Sequence, residues 1–333
     1  MPVERPHPCS IGSDAKAVLR TVGIAMVGCV LATGLVTGCA DPTGLLAGAA
    51  GTEADSEATG ETFSRPELTL SPIDLDVLIG STEAGIDVSH LADGYVSATA
   101  TSKSRLKLQV TRGDMQYNYD LPSDGTPISV PLNMGNGSYT FQIMQNTRDN
   151  LYVGLGESVD AEVRLADEFQ PFLRPNIYCD YDAESLVVEE ANKLSEGARN
   201  QADVLKAVYD WIVENVSYDN EKAKSVVNGT IADGYLPDPD ATMQSKTGIC
   251  FDYASLAAAM LRSQGIPCKI ITGYVSPDSI YHAWNMVYLN GEWISAKVSV
   301  KSNTWTRVDF TFAAGGATDY AGDGMTYTDK YTY

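Results

Sequence analysis

Three side chains in this 333-residue chain have the types and order needed for covalent chemistry at a carbonyl: Cys250, His282 and Asp309. Cys250 opens the run Cys250-Phe251-Asp252-Tyr253-Ala254-Ser255-Leu256-Ala257-Ala258-Ala259-Met260-Leu261. Alanine and leucine are strong helix formers, Gly265 and Pro267 supply the stop, and Gly248 offers a sharp turn just ahead. Cys250 is therefore expected at or just before a helix amino terminus. There the unpaired N–H groups and the helix dipole favour an anion, which lowers a thiol pKa toward the nucleophilic thiolate. The same N–H groups suit a developing oxyanion.

A thiolate mechanism needs a base, and the chain has only His7, His90 and His282. His7 precedes the apolar leader, and His90 lies in a strand-rich half, where a partly buried or surface role fits it better than ligation. His282 remains, in Ser279-Ile280-Tyr281-His282-Ala283-Trp284-Asn285-Met286-Val287-Tyr288-Leu289. As a strand this puts His282, Trp284, Met286 and Tyr288 on one face. Asn290-Gly291 then reads as a hairpin turn into Glu292-Trp293-Ile294-Ser295. A third group must orient the imidazole, and Asp309 is the carboxylate of the strand-like run Trp305–Phe312. A carboxylate there is costly to bury without a partner.

Blander readings apply to the neighbours. A lone buried cysteine is usually a small hydrophobe, and only the company of His282 and Trp284 lifts Cys250 above that. Asp252 and Tyr253 read as helix-start and packing residues, Gln244 as a solvated loop amide, and Trp284 as a core or cleft-wall residue. Cys179 and Cys268 have two readings, a disulfide in an oxidising compartment or buried free thiols.

The elements around these residues divide the chain. Residues 66–178 alternate with period two in Tyr95–Ala100, Leu106–Val110, Ile128–Leu132 and Tyr139–Ile143, with Asp124-Gly125 and Gly135-Asn136-Gly137 as turns. Short strands at this spacing predict an immunoglobulin-like β-sandwich. From 179 to 333 helical periodicity takes over, with helices expected at 186–194 and 201–216.

The order of a helix-borne cysteine, His-Ala-Trp-Asn on a strand and Trp-x-x-x-Asp-x-Thr resembles the bacterial transglutaminase-like superfamily, whose fold is papain-like. The likeness covers about residues 183–315, including Tyr209–Asp219 and the Gly265–Tyr274 link into the histidine strand. It implies an α+β chain in which Cys250 is nucleophile, His282 base and Asp309 orienter. The third position departs from the family's usual Trp-x-x-x-Asp-Pro-Thr. Four residues beyond Trp293 stands Lys297, which cannot orient an imidazolium, whereas four beyond Trp305 stands Asp309, with Phe310 in the place of proline and Thr311 retained. Asp309 is the better assignment, because a lysine there would depress the basicity of His282.

Composition narrows the rest. A net charge of −20 argues against nucleic-acid backbones and against a polybasic grip on lipid. Six cysteines without a CxxC pair and three histidines exclude zinc ribbons and His-rich metal sites, and no EF-hand-like loop suggests calcium, so no cofactor is expected. Residues 21–40 carry no charge and follow Lys16 and Arg20, as a secretory signal does. Val36-Thr37-Gly38-Cys39 resembles the lipobox of bacterial lipoproteins, which implies cleavage after residue 38 and a lipid on Cys39. Residues 39–65 are small and acidic and read as a flexible tether.

The sequence thus predicts an exported protein, lipid-anchored to the outer face of the bacterial cytoplasmic membrane. Its expected activity is acyl transfer through a thioester on peptide or side-chain amides, as a peptidase, amidase or transglutaminase-type crosslinker. Peptide or protein is the expected substrate, with cell-wall peptide among the candidates. The competing reading is a non-catalytic surface module that keeps the fold and binds through exposed aromatics such as Tyr320, Tyr327, Tyr331 and Tyr333.

Overall fold

The computed structural model describes residues 57–81, 83–231, 234–276, 279–294, 299–315 and 326–333. The leader, Cys39 and most of the expected tether lie outside them, as does Lys297. Among the described residues no helix is long and apolar enough to cross a membrane.

Nine strands come first: β1 (Ile79–Ser81), β2 (Ala84–Asp87), β3 (Tyr95–Ala100), β4 (Leu106–Arg112), β5 (Met115–Leu121), β6 (Ile128–Pro131), β7 (Gly137–Arg148), β8 (Leu151–Gly154) and β9 (Val159–Val163). They form two antiparallel sheets, one ordered β1-β2-β3-β6 and the other β5-β4-β7-β8 with β9 also on β7. Consecutive strands β3 and β4 lie in opposite sheets, and β6 returns to the first, which is the alternation of an immunoglobulin-like sandwich. The period-two residues explain it: Leu106, Leu108 and Val110 of β4 and Tyr139, Phe141 and Ile143 of β7 point inward and are buried. In β3 both faces are covered, because the Tyr95 ring lies under the Arg174 guanidinium at 5.2 Å and its hydroxyl donates to Pro72 O at 2.8 Å.

The second half supplies helices and a sheet. They are α1 (Leu186–Leu194), α2 (Gln201–Asn215), β10 (Ser217–Tyr218), α3 (Asn220–Val227), α4 (Pro239–Ser245), β11 (Thr247–Gly248), α5 (Cys250–Ser263), β12 (Cys268–Val275), β13 (Ile280–Tyr288), β14 (Trp293–Ile294), β15 (Ser299–Val300), β16 (Trp305–Val308), α6 (Phe310–Ala314) and β17 (Tyr327–Thr332). The whole is α+β. An antiparallel sheet runs β16-β13-β12-β17, with α5 packed on it. Every residue of α5 from Phe251 to Ser263 is buried. A helix apolar on all sides belongs in a core, and its alanines let α1, α2, α4 and α6 approach closely. One hydrophobic cluster joins this core to the sandwich, through Tyr119, Tyr178 and Tyr333 among others.

Three expectations change here. Asn290-Gly291 does not turn β13 back on itself: β13 is flanked by β12 and β16, and β14 pairs with β15. Residues 57–60 occupy that ground instead, with Thr59 and Glu292 exchanging main-chain hydrogen bonds at 2.9 and 3.0 Å. A Cβ on Gly291 would sit 2.0 Å from Thr59 O, so the glycine serves close approach. Residues 57–65, expected as the end of a flexible tether, are docked on the body. Ala58 is buried and its carbonyl accepts from Asn200 Nδ2 at 3.1 Å, while Arg65 reaches Ser195 Oγ at 2.8 Å. Backbone pairing with the finished body supplies what the composition lacked. The tail tyrosines are not an exposed recognition set: Tyr333 is buried and Tyr327 and Tyr331 are half-buried, with Tyr320 outside the described residues.

One buried cation ties three segments together. Arg262 donates to Cys268 O at 2.8 Å, Arg174 O at 3.0 Å and Tyr333 O at 3.1 Å. Arg262→Met would take this donor from the Cys268 and Arg174 carbonyls and leave Tyr333 O with the Ile270 N–H alone, so it is expected to cost about 3 kcal/mol in a urea titration. An unchanged midpoint would show that water replaces the guanidinium.

Candidate active site

The site begins with a short parallel pairing. Thr247 and Gly248 of β11 lie beside Ser217 and Tyr218 of β10, which fixes the approach to α5. Ile249 is extended and caps the helix, so Cys250 is its first residue. The Ile249 N–H donates to Asp252 Oδ2 at 2.8 Å, the reach-back half of a capping box. Asp252 is fully buried and is matched by Lys222 Nζ at 2.7 Å and by the Tyr235 hydroxyl. Without that ammonium, a buried carboxylate two residues from the sulfur would oppose a thiolate. Gly248 is needed here for room rather than for a sharp turn, since a Cβ on it would lie 2.6 Å from Asp252 Cβ.

Cys250 is the one partly exposed thiol among the three free cysteines described. Cys179 and Cys268 are fully buried, and burial pushes each thiol up to about 12, which keeps them unreactive. Of their two sequence readings, the structure has the free thiols.

His282 and Asp309 meet. His282 Nε2 lies 2.8 Å from Asp309 Oδ2, with the histidine 4% exposed and the aspartate 0%. Cys250 acts on the same imidazole electrostatically, and with Nε2 taken by Asp309 the ring nitrogen left for the sulfur is Nδ1. Burial works against the imidazolium, but the charges of Asp309 and Cys250 and the hydrogen bond to Asp309 outweigh it. The His282 pKa is thereby raised to about 10. Phe312 stacks on the ring at 4.5 Å with planes 13° apart, and Trp284 lies on the same side of β13 at 6.3 Å.

Asp309 departs from the strand-like run expected of it. Strand β16 ends at Val308 and Asp309 is the N-cap of α6, its Oδ1 accepting from Phe312 N at 3.0 Å. Aspartate is a strong N-cap, and that local bond outcompetes continuation of the strand. The cap orients one carboxylate oxygen and leaves the other for His282.

The remaining member of His-Ala-Trp-Asn also acquires a reason. Asn285, fully buried, donates from Nδ2 to Ala254 O on α5 at 2.9 Å and to Lys269 O on β12 at 3.3 Å. It clamps the histidine strand to the cysteine helix four residues beyond the nucleophile, which sets the spacing of His282 and Cys250. Trp284 is buried with Ile271 and Val275, as a core residue. Gln244 is exposed, though on α4 rather than a loop.

Two residues near the site went unnoticed in the sequence. Tyr218 of β10 pairs with Gly248, two residues before Cys250, and burial followed by the charges of Cys250 and Asp252 drives its phenol pKa strongly upward, so it stays a neutral donor. Its signal was its place in the Tyr218-Asp219 ending of the family-like segment. Tyr327 donates to Asp309 Oδ2 at 3.0 Å, and nothing in the local sequence pointed from β17 to Asp309. Among the described residues no group of three or more His, Cys, Asp or Glu side chains could hold a metal ion.

The family model of the transglutaminase-like superfamily matches residues 189–309, from α1 to Asp309. The chain carries a transglutaminase-like domain. Curated relatives include a UPF0252 protein of Methanocaldococcus jannaschii, 27% identical over 35% of this chain and 34% of its own. The kyphoscoliosis peptidase of Homo sapiens is 26% identical over 38% of this chain and 20% of its own. This chain thus spans about a third or less of the length of these relatives. Among solved structures, a protein described as a candidate cysteine protease from Cytophaga hutchinsonii has 18% identity and a TM-score of 0.34, over 75% of this chain and 83% of that one. The matched residues contain Cys250, His282 and Asp309.

The raised His282 pKa carries a stability consequence. The folded state holds this proton more tightly than the unfolded chain does, so the benefit is complete below about pH 6.5 and fades as pH rises toward about 10. Denaturant titrations should show wild type losing its advantage over His282→Gln across that window. A difference that grows with pH would contradict the protonated pair.

Proposed function

We propose that this chain is an exported cysteine acyl-transfer enzyme acting on peptide or side-chain amides through a thioester. The observation that carries the reading is His282 held 2.8 Å from a fully buried Asp309, with Cys250 at the head of a helix acting electrostatically on the same imidazole. In this scheme Cys250 is the nucleophile, His282 the acid and base, and Asp309 the group that orients and charges the imidazole.

The Cys250 thiolate attacks the amide carbonyl carbon, and the C–O π pair moves onto oxygen. The Cys250 N–H, unpaired in the first helical turn, and the Tyr218 hydroxyl are the donors for that oxyanion. His282 Nδ1–H gives its proton to the departing nitrogen as the C–N bond breaks. Water or a primary amine, deprotonated by His282, then attacks the thioester and returns the thiolate. Export and a lipid anchor at Cys39 rest on the leader and lipobox, and they place peptide outside the cytoplasmic membrane as the substrate.

The test is alkylation at neutral pH followed by mass spectrometry. Cys250→Ala should remove the fast-reacting site, and His282→Ala should slow labelling of Cys250 by about 100-fold. Equal labelling in wild type and His282→Ala would sink the activated-thiolate scheme. Turnover of a peptide amide with and without a primary amine reads hydrolysis against transfer directly. Tyr218→Phe is expected to lower turnover by about 100-fold while leaving Cys250 labelling near the wild-type rate. A parallel fall in labelling would instead make Tyr218 part of thiol activation.

A further inference from the structure

Asp309 carries a contact that the acyl-transfer scheme does not use. Its Oδ2 accepts from His282 Nε2 at 2.8 Å and also from the Tyr327 hydroxyl at 3.0 Å. Tyr327 begins β17, 18 residues beyond Asp309 and outside the residues matched by the family model. It is brought there by pairing with Val275 of β12. Its ring is held from two sides. Trp284 meets it edge-on at 4.9 Å and 78°, and the Arg307 guanidinium lies 3.6 Å from its centroid. The phenol so held presents its hydroxyl to Asp309 Oδ2.

We propose that Tyr327 is a positioning residue for the His282–Asp309 pair, sharing Oδ2 with the imidazole so as to fix the carboxylate's orientation and temper the charge that His282 meets. The consequence for catalysis rests on the cysteine-enzyme reading; the contact itself does not. A carboxylate oxygen that accepts two hydrogen bonds is a weaker partner for each donor than one that accepts a single bond. Removing the hydroxyl leaves Oδ2 to His282 alone, so the imidazolium should persist to higher pH.

Among the described residues the groups that face this pair are few. Asp309 ahead of α6 and Cys250 of α5 act on the imidazole, and Tyr218 of β10 pairs with Gly248 just before Cys250. Arg307 of β16 and Tyr327 of β17 lie on the Asp309 side. Neither Phe312 of α6 nor Trp284 of β13, the aromatic neighbours, titrates. Tyr327→Phe changes one hydroxyl in this set and keeps the ring contacts.

The experiment is an NMR pH titration of the full chain labelled with 15N-histidine. Only three histidines contribute, and His282→Gln assigns the signal. In Tyr327→Phe the His282 midpoint should move to higher pH by about half a unit, with the thermal midpoint within a few degrees of wild type. Tyr331→Phe, on the same strand, should leave the midpoint where it is. Superimposable wild-type and Tyr327→Phe curves, a shift to lower pH, or an equal shift in Tyr331→Phe would each overturn the proposal. The Cys250→Ala labelling experiment reports separately on the cysteine-enzyme reading, so the two can fail independently.

Discussion

A water-free contact between His282 and Asp309 is the constraint around which this half of the molecule is arranged. A charged carboxylate and an imidazolium are each costly to desolvate, and the pair survives burial only if nearly every remaining bond is made. Asp309 makes its other bonds to the Phe312 N–H and the Tyr327 hydroxyl. Phe312 and Trp284 keep water from the ring, and Nδ1 remains for the Cys250 side. The same contact explains why α6 begins at residue 310. The carboxylate that caps the helix is the one the histidine needs.

The cysteine side obeys a similar economy. Cys250 is placed by the first turn of a helix buried along its remaining length, so the nucleophile cannot drift without disturbing the core. Asp252 anchors that turn, Lys222 and Tyr235 neutralise and satisfy Asp252, and Asn285 ties the helix to the histidine strand. Polar groups buried this deeply destabilise unless satisfied, which makes the spacing of sulfur and imidazole a by-product of hydrogen-bond accounting. The sandwich contributes at one remove. Its Tyr117 hydroxyl accepts from Thr332 N, and its Asn133 side chain donates to Thr332 O, which together seat the end of β17. That strand brings Tyr327 to Asp309.

Much of this was legible in local sequence. The helix from Cys250, the helices at 186–194 and 201–215 and the strands of the sandwich follow from propensity and periodicity, which act between near neighbours. Asp309 was legible by elimination, but its conformation was not. A short strand-like run and a helix cap compete within a kilocalorie or so, and packing of α6 against α2 and α5 decides between them. The Asn290-Gly291 turn failed for a related reason. A two-residue signal for a hairpin carries no information about residues 57–60, which compete for the same edge.

By itself the sequence determined the sandwich strands, the two helices at 186–194 and 201–215 and the helix from Cys250, the order Cys250, His282, Asp309 and the acidic character of the chain, because these depend on composition and on spacings of a few residues. Only the tertiary structure decided which carboxylate oxygen meets His282, that Tyr218 lies alongside Gly248 at the approach to α5 and that Tyr327 reaches Asp309. Those contacts join β10, β13, β17 and α5, elements far apart in sequence. Their energy is realised only once the surrounding core has expelled water, and no local pattern encodes that.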